Sequence, residues 1–400
     1  MQKINKVPNR NEVPEVLTWD LSLIFPTDQD FESAFKEVQA GLSNFAQYQG
    51  TLRHGTSALL SALRKIINIY RKMEKLYVYS SLKNDQDTTD PLYHGMFAKT
   101  QALSARLDGK IAWFKPELLK LGEKTIQDYC QQEPQLKEYK HLFDDTLRFN
   151  EHILSTPEEK ILASLQDVFA TPENIFSILD DADLHFPDVV DQKGVRVQLT
   201  DSTYSQLIQS TDRSVRKQAF IKLYRVYHQF FRTFAQTLTS QVHIQNFQAN
   251  IRHYKSAMQA ALNENNIPVS VYENLVQMVH QHLDELQRYV SLRQKALNLS
   301  NLEMYDLYTP LTGKPEFNYS FEQAKKIALK ALAVLGPVYV AKVQEAFDKR
   351  YIDVVHNKGK RGGAYSGGSY DTAPYILLNW NNDLDSLYTL VHEMGHSMHI

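Results

Sequence analysis

The amino-acid sequence predicts a mainly α-helical protein with a small β-hairpin or sheet. Apolar side chains recur at spacings of three and four residues through several long segments, which is the pattern of helices with one buried face. Helix-start signals are frequent, whereas strand signals are few. A chain of 400 residues is longer than one small hydrophobic core requires, so we expect two or three structural units.

Helices are predicted first at 31–48 and 57–84, where apolar residues keep the helical spacing. The next helix is predicted at 156–170. Its start chemistry is favourable, because Thr156 can act as the N-cap and Glu159 can complete a capping box.

The longest apolar stripe lies at 213–252 and repeats almost without interruption every four residues. Unkinked, this segment would form a rod of about 60 Å, and we expect its apolar face to be ordinary core. A further helix is predicted at 268–297, beginning at Pro268 or at a capping box from Ser270 to Glu273. Another is predicted at 320–335.

Strand signals occur at two places. The segment 189–199 alternates around Lys193-Gly194 and predicts a hairpin. The segment 375–380, with the sequence YILLNW, predicts a short strand. The glycine-rich segment before it, 358–372, predicts a mobile loop, with a plain connector as the alternative. It lacks the Gly-Lys-Ser/Thr ending of a phosphate-binding loop.

Composition excludes several classes of partner. The formal net charge of -2 gives no general attraction to nucleic acid or to a membrane surface. No run of eighteen apolar residues predicts a membrane span, and the first residues lack the apolar segment of a signal peptide. The single cysteine, Cys130, fits a reducing compartment. We expect a cytoplasmic protein, and the sequence carries no signal for an oligomeric state.

A metal-binding motif lies in the last twelve residues, TLVHEMGHSMHI. His392 and His396 are four residues apart, so on a helix both imidazoles leave one face and can reach one zinc ion at about 2.1 Å. Glu393 points about 100° away from His392, where it can act as general base for a zinc-activated water. The alternative is a helix whose histidines make only local hydrogen bonds.

The third zinc ligand is not evident from this motif. A catalytic zinc uses three protein ligands and a water molecule. His399 shares the face, but it lies about 10.5 Å along the helix axis from His392, which suits a tetrahedron poorly. We therefore favour a packing role for His399. The remaining option is a glutamate ligand beyond Ile400.

Three segments together resemble oligoendopeptidase F, a member of the thimet oligopeptidase-like zinc metallopeptidases. They read RNEVPEVLTWDLSLIFPTDQDFE, MYDLYTPL and GAYSGGSYDTAPYILLNWNNDLDSLYTLVHEMGHSMH. The resemblance runs from about Val13 to the last residue, and 359–399 is its most specific part. It implies a prolate helical molecule with a deep channel that admits short unstructured peptides. It also implies a helical region at 1–111, a lobe at 112–200 and the first part of a catalytic domain at 201–400.

The resemblance also assigns residues. It implies one zinc ion per chain, held by His392 and His396, and it makes Glu393 the catalytic base. The third ligand would lie beyond Ile400, so the chain resembles a truncated member of the family. The implied substrate-binding residues are a strand that aligns the peptide and a mobile loop before it: Tyr375, Ile376, Leu377, Leu378 and Asn379, with Gly367 and Gly368.

The function that follows is hydrolysis of internal bonds in short peptides by a zinc metalloendopeptidase. The alternative is a non-catalytic fragment that lacks the third ligand and binds peptide or metal weakly. We expect little peptidase activity from the 400 residues alone. A helical interaction scaffold with an accidental motif is the third reading, and the specific match over 359–399 argues against it.

Overall fold

The computed structural model describes residues 7–312 and 318–399 of the chain. Helices dominate this part, as the sequence predicts. The α-helices are α1 (Asp28–Gly41), α2 (Thr56–Asp85), α3 (Pro91–Ile111), α4 (Phe114–Gln132), α5 (Lys140–Arg148), α6 (Thr156–Ser164), α7 (Gln166–Phe169), α8 (Thr171–Ser177), α9 (Asp201–Leu207), α10 (Arg213–Gln229), α11 (Phe231–Ile251), α12 (Ala257–Glu264), α13 (Val269–Gln281), α14 (Leu283–Ala296), α15 (Phe321–Leu332), α16 (Pro337–Asp348) and α17 (Leu384–Ser397).

Two small sheets accompany the helices. An antiparallel hairpin pairs β1 (Val189–Val190) with β2 (Arg196–Val197). The second sheet has three strands, β3 (Ile352–Asp353), β4 (Tyr365–Gly367) and β5 (Tyr375–Leu377). Its order is β3-β5-β4, with β3 parallel and β4 antiparallel to β5. The mainly helical class with small β-elements is therefore confirmed.

The largest hydrophobic core joins the N-terminal helices to the three-stranded sheet and α17. Trp19 meets Tyr375 of β5 edge to face, with ring centroids 6.4 Å apart. Phe321 at the start of α15 meets Trp380 in the same way at 5.5 Å. Aromatic pairs of this kind add about 0.5–1.5 kcal/mol beyond area burial. Trp19 and Phe321, which are distant in sequence, therefore pack against β5 and against the segment between β5 and α17.

The helix predictions at 57–84 and 320–335 are confirmed by α2 and by α15 with its following turn. The helix predicted at 31–48 is α1, continued by the 3-10 segment Leu42–Tyr48. Where the spacing of apolar residues is clear, these helices lie close to their predicted positions.

The capping box predicted at Thr156 and Glu159 is wrong by one residue. Ser155 is the N-cap, and its reciprocal partner is Glu158. Glu159 is engaged elsewhere: it accepts a hydrogen bond from the backbone of Leu154 and forms an ion pair with Arg252 at the end of α11. The helix also ends earlier than predicted, at Ser164, and a separate helix, α7, begins at Gln166.

The rod predicted at 213–252 is broken. Phe230 leaves helical geometry (φ −101°, ψ 11°) and separates α10 from α11. His282 separates α13 from α14 in the same way. Helix α13 begins at Val269, with Pro268 as its N-cap. The expectation that the stripe is core is wrong for α11, since apolar side chains such as Leu238 are largely exposed. Periodicity marks an apolar face but does not identify what covers it.

The predicted hairpin is confirmed, and Gly194 supplies the positive φ of +75° that its turn requires. The strand predicted at 375–380 is confirmed over Tyr375–Leu377. Among the described residues, no helix combines the length and apolar composition that crossing a membrane requires.

Candidate metal centre and adjoining strand

Helix α17 begins directly after the three-stranded sheet and is firmly capped. Asp383 accepts hydrogen bonds from the backbone and hydroxyl of Ser386, at 2.8 and 2.7 Å. An aspartate at this position satisfies a free N–H and interacts favourably with the helix dipole. Leu390 and Met394 are buried in the main core. One face of α17 is therefore fixed to the protein, and the other faces solvent.

His392 and His396 lie on that solvent-facing side. Their Nε2 atoms are 3.1 Å apart and their rings are nearly perpendicular. Two imidazole nitrogens that share one tetrahedral zinc ion at about 2.1 Å each lie roughly 3.3 Å apart. The observed separation fits a shared ion. The structure thus brings the two predicted ligands close together, and their assignment as zinc ligands stays a prediction.

A third ligand is not found in the described part of the chain. Over 7–312 and 318–399, no group of three or more histidine, cysteine, aspartate or glutamate side chains is arranged to hold a metal ion. His399 therefore does not complete a set of three with the two predicted ligands, His392 and His396. The residues fit zinc as two members of a three-ligand site.

Glu393 is buried, although the histidines on either side of it are exposed. Within the described residues, no donor forms a hydrogen bond with its carboxylate. Its backbone carbonyl accepts a hydrogen bond from Ser397 Oγ at 3.1 Å. That hydroxyl also lies 2.8 Å from Ser366 Oγ in β4. The turn that carries Glu393 is therefore linked directly to strand β4.

The predicted peptide-aligning strand occupies an unexpected place. β5 is the central strand, with β3 on one edge and β4 on the other, and Tyr375, Ile376 and Leu377 are fully buried. Leu378 is buried as well, and the Asn379 amide donates to the carbonyls of Arg361 and Gly363. An added strand needs a free edge. The peptide-pairing role predicted for 375–379 therefore does not fit this sheet.

Strands β3 and β4 are the two edges of the sheet; beside β3, Val354 donates to the Leu17 carbonyl, which leaves β4 as the more open edge. Within the described sheet its only neighbour is β5, and it also packs against α17. Gly367 ends this strand and Gly368 follows it, so the two glycines predicted to form the mobile loop lie at the strand edge. Tyr365 secures the other end, because its hydroxyl donates to the buried Asp85 of α2 at 2.8 Å.

The first half of the glycine-rich segment is pinned rather than mobile. Lys360 is fully buried and donates to the Asp353 carboxylate at 2.6 Å and to the Val355 carbonyl at 2.8 Å. Arg10 binds the same carboxylate. Burial alone would raise the pKa of Asp353, but the two cations outweigh it and hold that pKa below its usual value. The backbone N–H of Gly362 donates to Asp181 at 3.0 Å.

Sequence reasoning missed Asp85, Asp353 and Lys360. Asp353 and Arg10 are 343 residues apart, and Tyr365 and Asp85 are 280 residues apart. Burial lowers the pKa of Lys360 to about 8. It also raises the pKa of Asp85, despite the nearby Arg361. Charged residues rarely lie fully buried unless they are paired. Because the partners are far apart in sequence, only the folded structure reveals these pairs.

A cavity of about 780 Å³ lies between the pinned segment, the 180–188 region and α17. Asp385 and Thr389 line it from the helix. Asp385 lies seven and eleven residues before His392 and His396, and Thr389 lies three and seven residues before them, so these side chains share one face of the helix. The cavity is therefore lined by the histidine-bearing face of α17 at positions that precede His392. Burial raises the pKa of Asp181, in its wall, to about 6.

Two family models match the sequence. The model of peptidase family M3 covers residues 206–400, and the model described as oligopeptidase F covers 117–186. Neither match tests the three-part division predicted from the sequence, which stays a prediction.

Curated relatives and solved structures are similar to almost the whole chain. Group B oligopeptidase PepB of Streptococcus agalactiae is 44% identical over 98% of this chain and 65% of its own length. Oligopeptidase PepF of Bacillus subtilis is 39% identical over 100% of this chain and 59% of its own. The crystal structure of oligoendopeptidase-F from Enterococcus faecium superposes with a TM-score of 0.71 and 39% identity, covering 80% of this chain and 60% of that one. The chain thus spans about two thirds or less of these relatives' length.

Proposed function

The chain belongs to peptidase family M3. We propose that it functions as a zinc metalloendopeptidase that hydrolyses internal bonds of short peptides. The observation that carries the proposal is the geometry on α17. Two imidazole nitrogens lie 3.1 Å apart, beside a buried glutamate and next to a strand with a free edge. The M3 matches and the relatives described as oligopeptidases support it.

His392 and His396 would hold one zinc ion per chain, and a third protein ligand would come from outside the described residues. When bound, zinc would supply Lewis-acid catalysis: it would polarise the scissile carbonyl and lower the pKa of a bound water towards 7. The core contacts of α17 keep the two histidines on their common face. A fixed helix backbone keeps the two imidazoles near each other before metal binds.

Glu393 would act as general base and then as general acid. It would accept a proton from the attacking water and deliver that proton to the amine that leaves when the peptide bond breaks. The residue is largely buried, and within the described residues no donor engages its carboxylate. The link through Ser397 to β4 would hold it at a fixed position relative to the peptide.

The peptide would bind as an extended strand along β4. Pairing through backbone hydrogen bonds requires an extended chain, which selects unstructured peptides over folded proteins. Gly367 has no side chain to obstruct close approach. The buried strand β5 would pair with β4 on the side away from the peptide and would not contact the peptide. The cavity along α17 would form part of the deep channel. We propose a cytoplasmic protein without nucleic-acid or membrane partners.

Binding without turnover is a second candidate function. It is favoured by one observation, namely that the described residues supply two metal ligands where three are expected. Such a protein would bind zinc or peptide weakly.

A quenched fluorescent peptide, assayed with and without added zinc, separates the two candidates. Zinc-dependent turnover that Glu393→Gln abolishes supports the endopeptidase. Zinc binding without turnover, lost in His392→Ala, supports the second candidate. Turnover that survives Glu393→Gln contradicts the assigned base. Zinc binding that survives removal of both histidines contradicts the assigned metal centre.

A further inference from the structure

We propose that Asp85, at the end of helix α2, is a positioning residue for the peptide: through Tyr365 it fixes strand β4, whose edge at Ser366 would pair with the bound chain. The inference rests on the proposed function, because it concerns the strand along which the peptide would bind. Asp85 is buried, and it lies 280 residues from Tyr365 in the sequence. It would act on the peptide only through β4 and would not touch it.

Ser366 is the residue of β4 whose backbone polar groups point away from the sheet. Its partner in the antiparallel register is Ile376 of β5. The N–H of Ile376 donates at 2.8 Å to the carbonyl of Tyr351, directly before β3, so Ile376 presents its backbone groups to the β3 side. Backbone groups alternate in direction along a strand, so the residues on either side of Ile376 bond to those on either side of Ser366. The N–H and carbonyl of Ser366 therefore face the open edge, where an added strand would pair with them.

The position of this edge depends on side-chain contacts, because β4 is short. It has three residues, and within the described sheet it pairs with one strand. Gly367, its last residue, has no side chain to anchor it. Two contacts hold the other residues: the Tyr365 hydroxyl donates to the Asp85 carboxylate at 2.8 Å, and Ser366 Oγ lies 2.8 Å from Ser397 Oγ. The first of these contacts ties the strand edge to α2, and the second ties it to α17.

Asp85 is itself held firmly at the end of α2. The side-chain amide of Asn84 donates to its carboxylate at 3.2 Å, and its backbone carbonyl accepts a hydrogen bond from the N–H of Arg361 at 2.9 Å. Nearby, the N–H of Thr88 donates to the Gly359 carbonyl at 2.7 Å. The end of α2 is thus bonded to the segment that leads into β4 at several points. A displacement of Asp85 would be transmitted to the strand.

Asp85 serves Tyr365 as a hydrogen-bond acceptor more than as a charge. Burial raises the pKa of the Asp85 carboxyl despite the nearby Arg361. Burial also raises the pKa of Tyr365 well above its ordinary value, so the hydroxyl keeps its proton and remains a donor at neutral pH. The side-chain oxygen of asparagine can accept the same bond. Asparagine at position 85 should therefore preserve the position of β4, whereas alanine should not.

The affinity of the full chain for a peptide tests the inference. The probe is a short, unstructured peptide with a fluorescein label, and its dissociation constant is measured by fluorescence anisotropy. Tyr365→Phe removes the hydroxyl and keeps the ring. We expect it to weaken binding about fivefold, the loss that corresponds to one hydrogen bond of ordinary net strength. Asp85→Ala should weaken binding equally, and Asp85→Asn should stay within about twofold of the wild type.

Tyr70→Phe is the matched control. Tyr70 of α2 donates to Asp108 of α3 at the same distance of 2.8 Å, but this contact does not involve β4. Thermal unfolding should show similar losses of stability for Tyr70→Phe and Tyr365→Phe, whereas only Tyr365→Phe should weaken peptide binding. A purely structural role for Asp85 would not produce this difference. A peptide with N-methyl groups on its backbone nitrogens cannot donate to the Ser366 carbonyl, and we expect it not to bind.

The outcomes separate this inference from the proposed function. Peptide binding that Tyr365→Phe leaves unchanged overturns the inference alone, as does an equal loss of affinity in Tyr70→Phe. Asp85→Asn that binds as weakly as Asp85→Ala overturns the assigned role as hydrogen-bond acceptor. A wild-type chain that does not bind the probe, or that binds the N-methylated peptide equally well, overturns the strand pairing of the proposed function and this inference with it.

Discussion

The hydroxyl oxygen of Ser366 in strand β4 lies 2.8 Å from that of Ser397 in helix α17. Ser397 also donates to the Glu393 carbonyl, so a single buried hydroxyl connects the strand edge to the turn that carries the proposed base. Replacement of Ser397 by alanine removes both contacts. We expect a loss of about 1–2 kcal/mol in the free energy of unfolding, measured by urea denaturation.

A double-mutant cycle isolates the contact between the two serines. Ser366→Ala alone is expected to cost about 1 kcal/mol. The double variant should cost less than the sum of the single variants by about 0.5–1 kcal/mol, because the two residues share one hydrogen bond. Strict additivity would show that the two hydroxyls do not interact in solution.

The metal-ligand assignment predicts different effects for His396 and His399. His396→Ala is expected to lower zinc affinity at least tenfold, since it removes one of two convergent nitrogens. His399→Ala should leave the affinity within about twofold, because the sequence geometry places this side chain too far along the helix. Isothermal titration with zinc measures both variants. An equal loss in the two would assign His399 as a ligand.

The spacing of apolar residues predicts the presence of helices well but predicts their breaks and their burial less well. The run at 57–84 keeps its periodicity and becomes α2. The run at 213–252 has equally regular periodicity, yet it breaks at Phe230 and leaves Leu238 exposed. Spacing identifies the apolar face of a helix, but tertiary packing decides whether the helix bends and whether that face is covered.

In the candidate site, too, contacts between residues close in sequence are predicted, whereas contacts between distant residues are not. His392, Glu393 and His396 lie within five residues, so helix geometry alone places the two imidazoles together. The neighbours of β5 could not be derived, because a strand's pattern does not name the strands beside it. The buried pair of Asp353 with Arg10 also joins residues 343 positions apart. Such contacts are products of the fold.

Asp181 gives the stability of the protein a pH dependence. Burial raises the pKa of its carboxyl from the ordinary 3.8 to about 6, so the folded state binds more protons than the unfolded state between these values. Stability from this group is therefore present at low pH and is lost as the pH rises through about 6. We expect Asp181→Asn to remove that loss and to stabilise the protein at pH 7 by about 1–2 kcal/mol, after allowance for solvent screening.

Thermal unfolding at several pH values between 4 and 7 measures this effect. The asparagine side chain retains an oxygen that can accept the hydrogen bond from Gly362, so the geometry of the pinned segment should persist. Asp183→Asn is the control, because Asp183 is an exposed aspartate on the same turn. Parallel pH profiles for wild type and Asp181→Asn would contradict the prediction.

Gly359 is the position in the pinned segment where a side chain is least tolerable. Its φ is +70°, and an added Cβ would lie 2.3 Å from Asp87 Oδ1. That oxygen accepts hydrogen bonds from the backbone and hydroxyl of Thr89, so it cannot move without breaking them. We expect Gly359→Ala to lower the free energy of unfolding by about 2–4 kcal/mol, from backbone strain together with the lost hydrogen bonds.

Gly363 provides the matched comparison for this change. Its φ is +75°, but an added Cβ would meet no atom within 4 Å. Gly363→Ala should therefore cost only the conformational penalty of about 1–2 kcal/mol. Urea denaturation of both variants measures the difference, which we expect to be at least 1 kcal/mol. Equal losses would mean that Asp87 relaxes freely, and the segment before β4 would then be less firmly pinned than its contacts indicate.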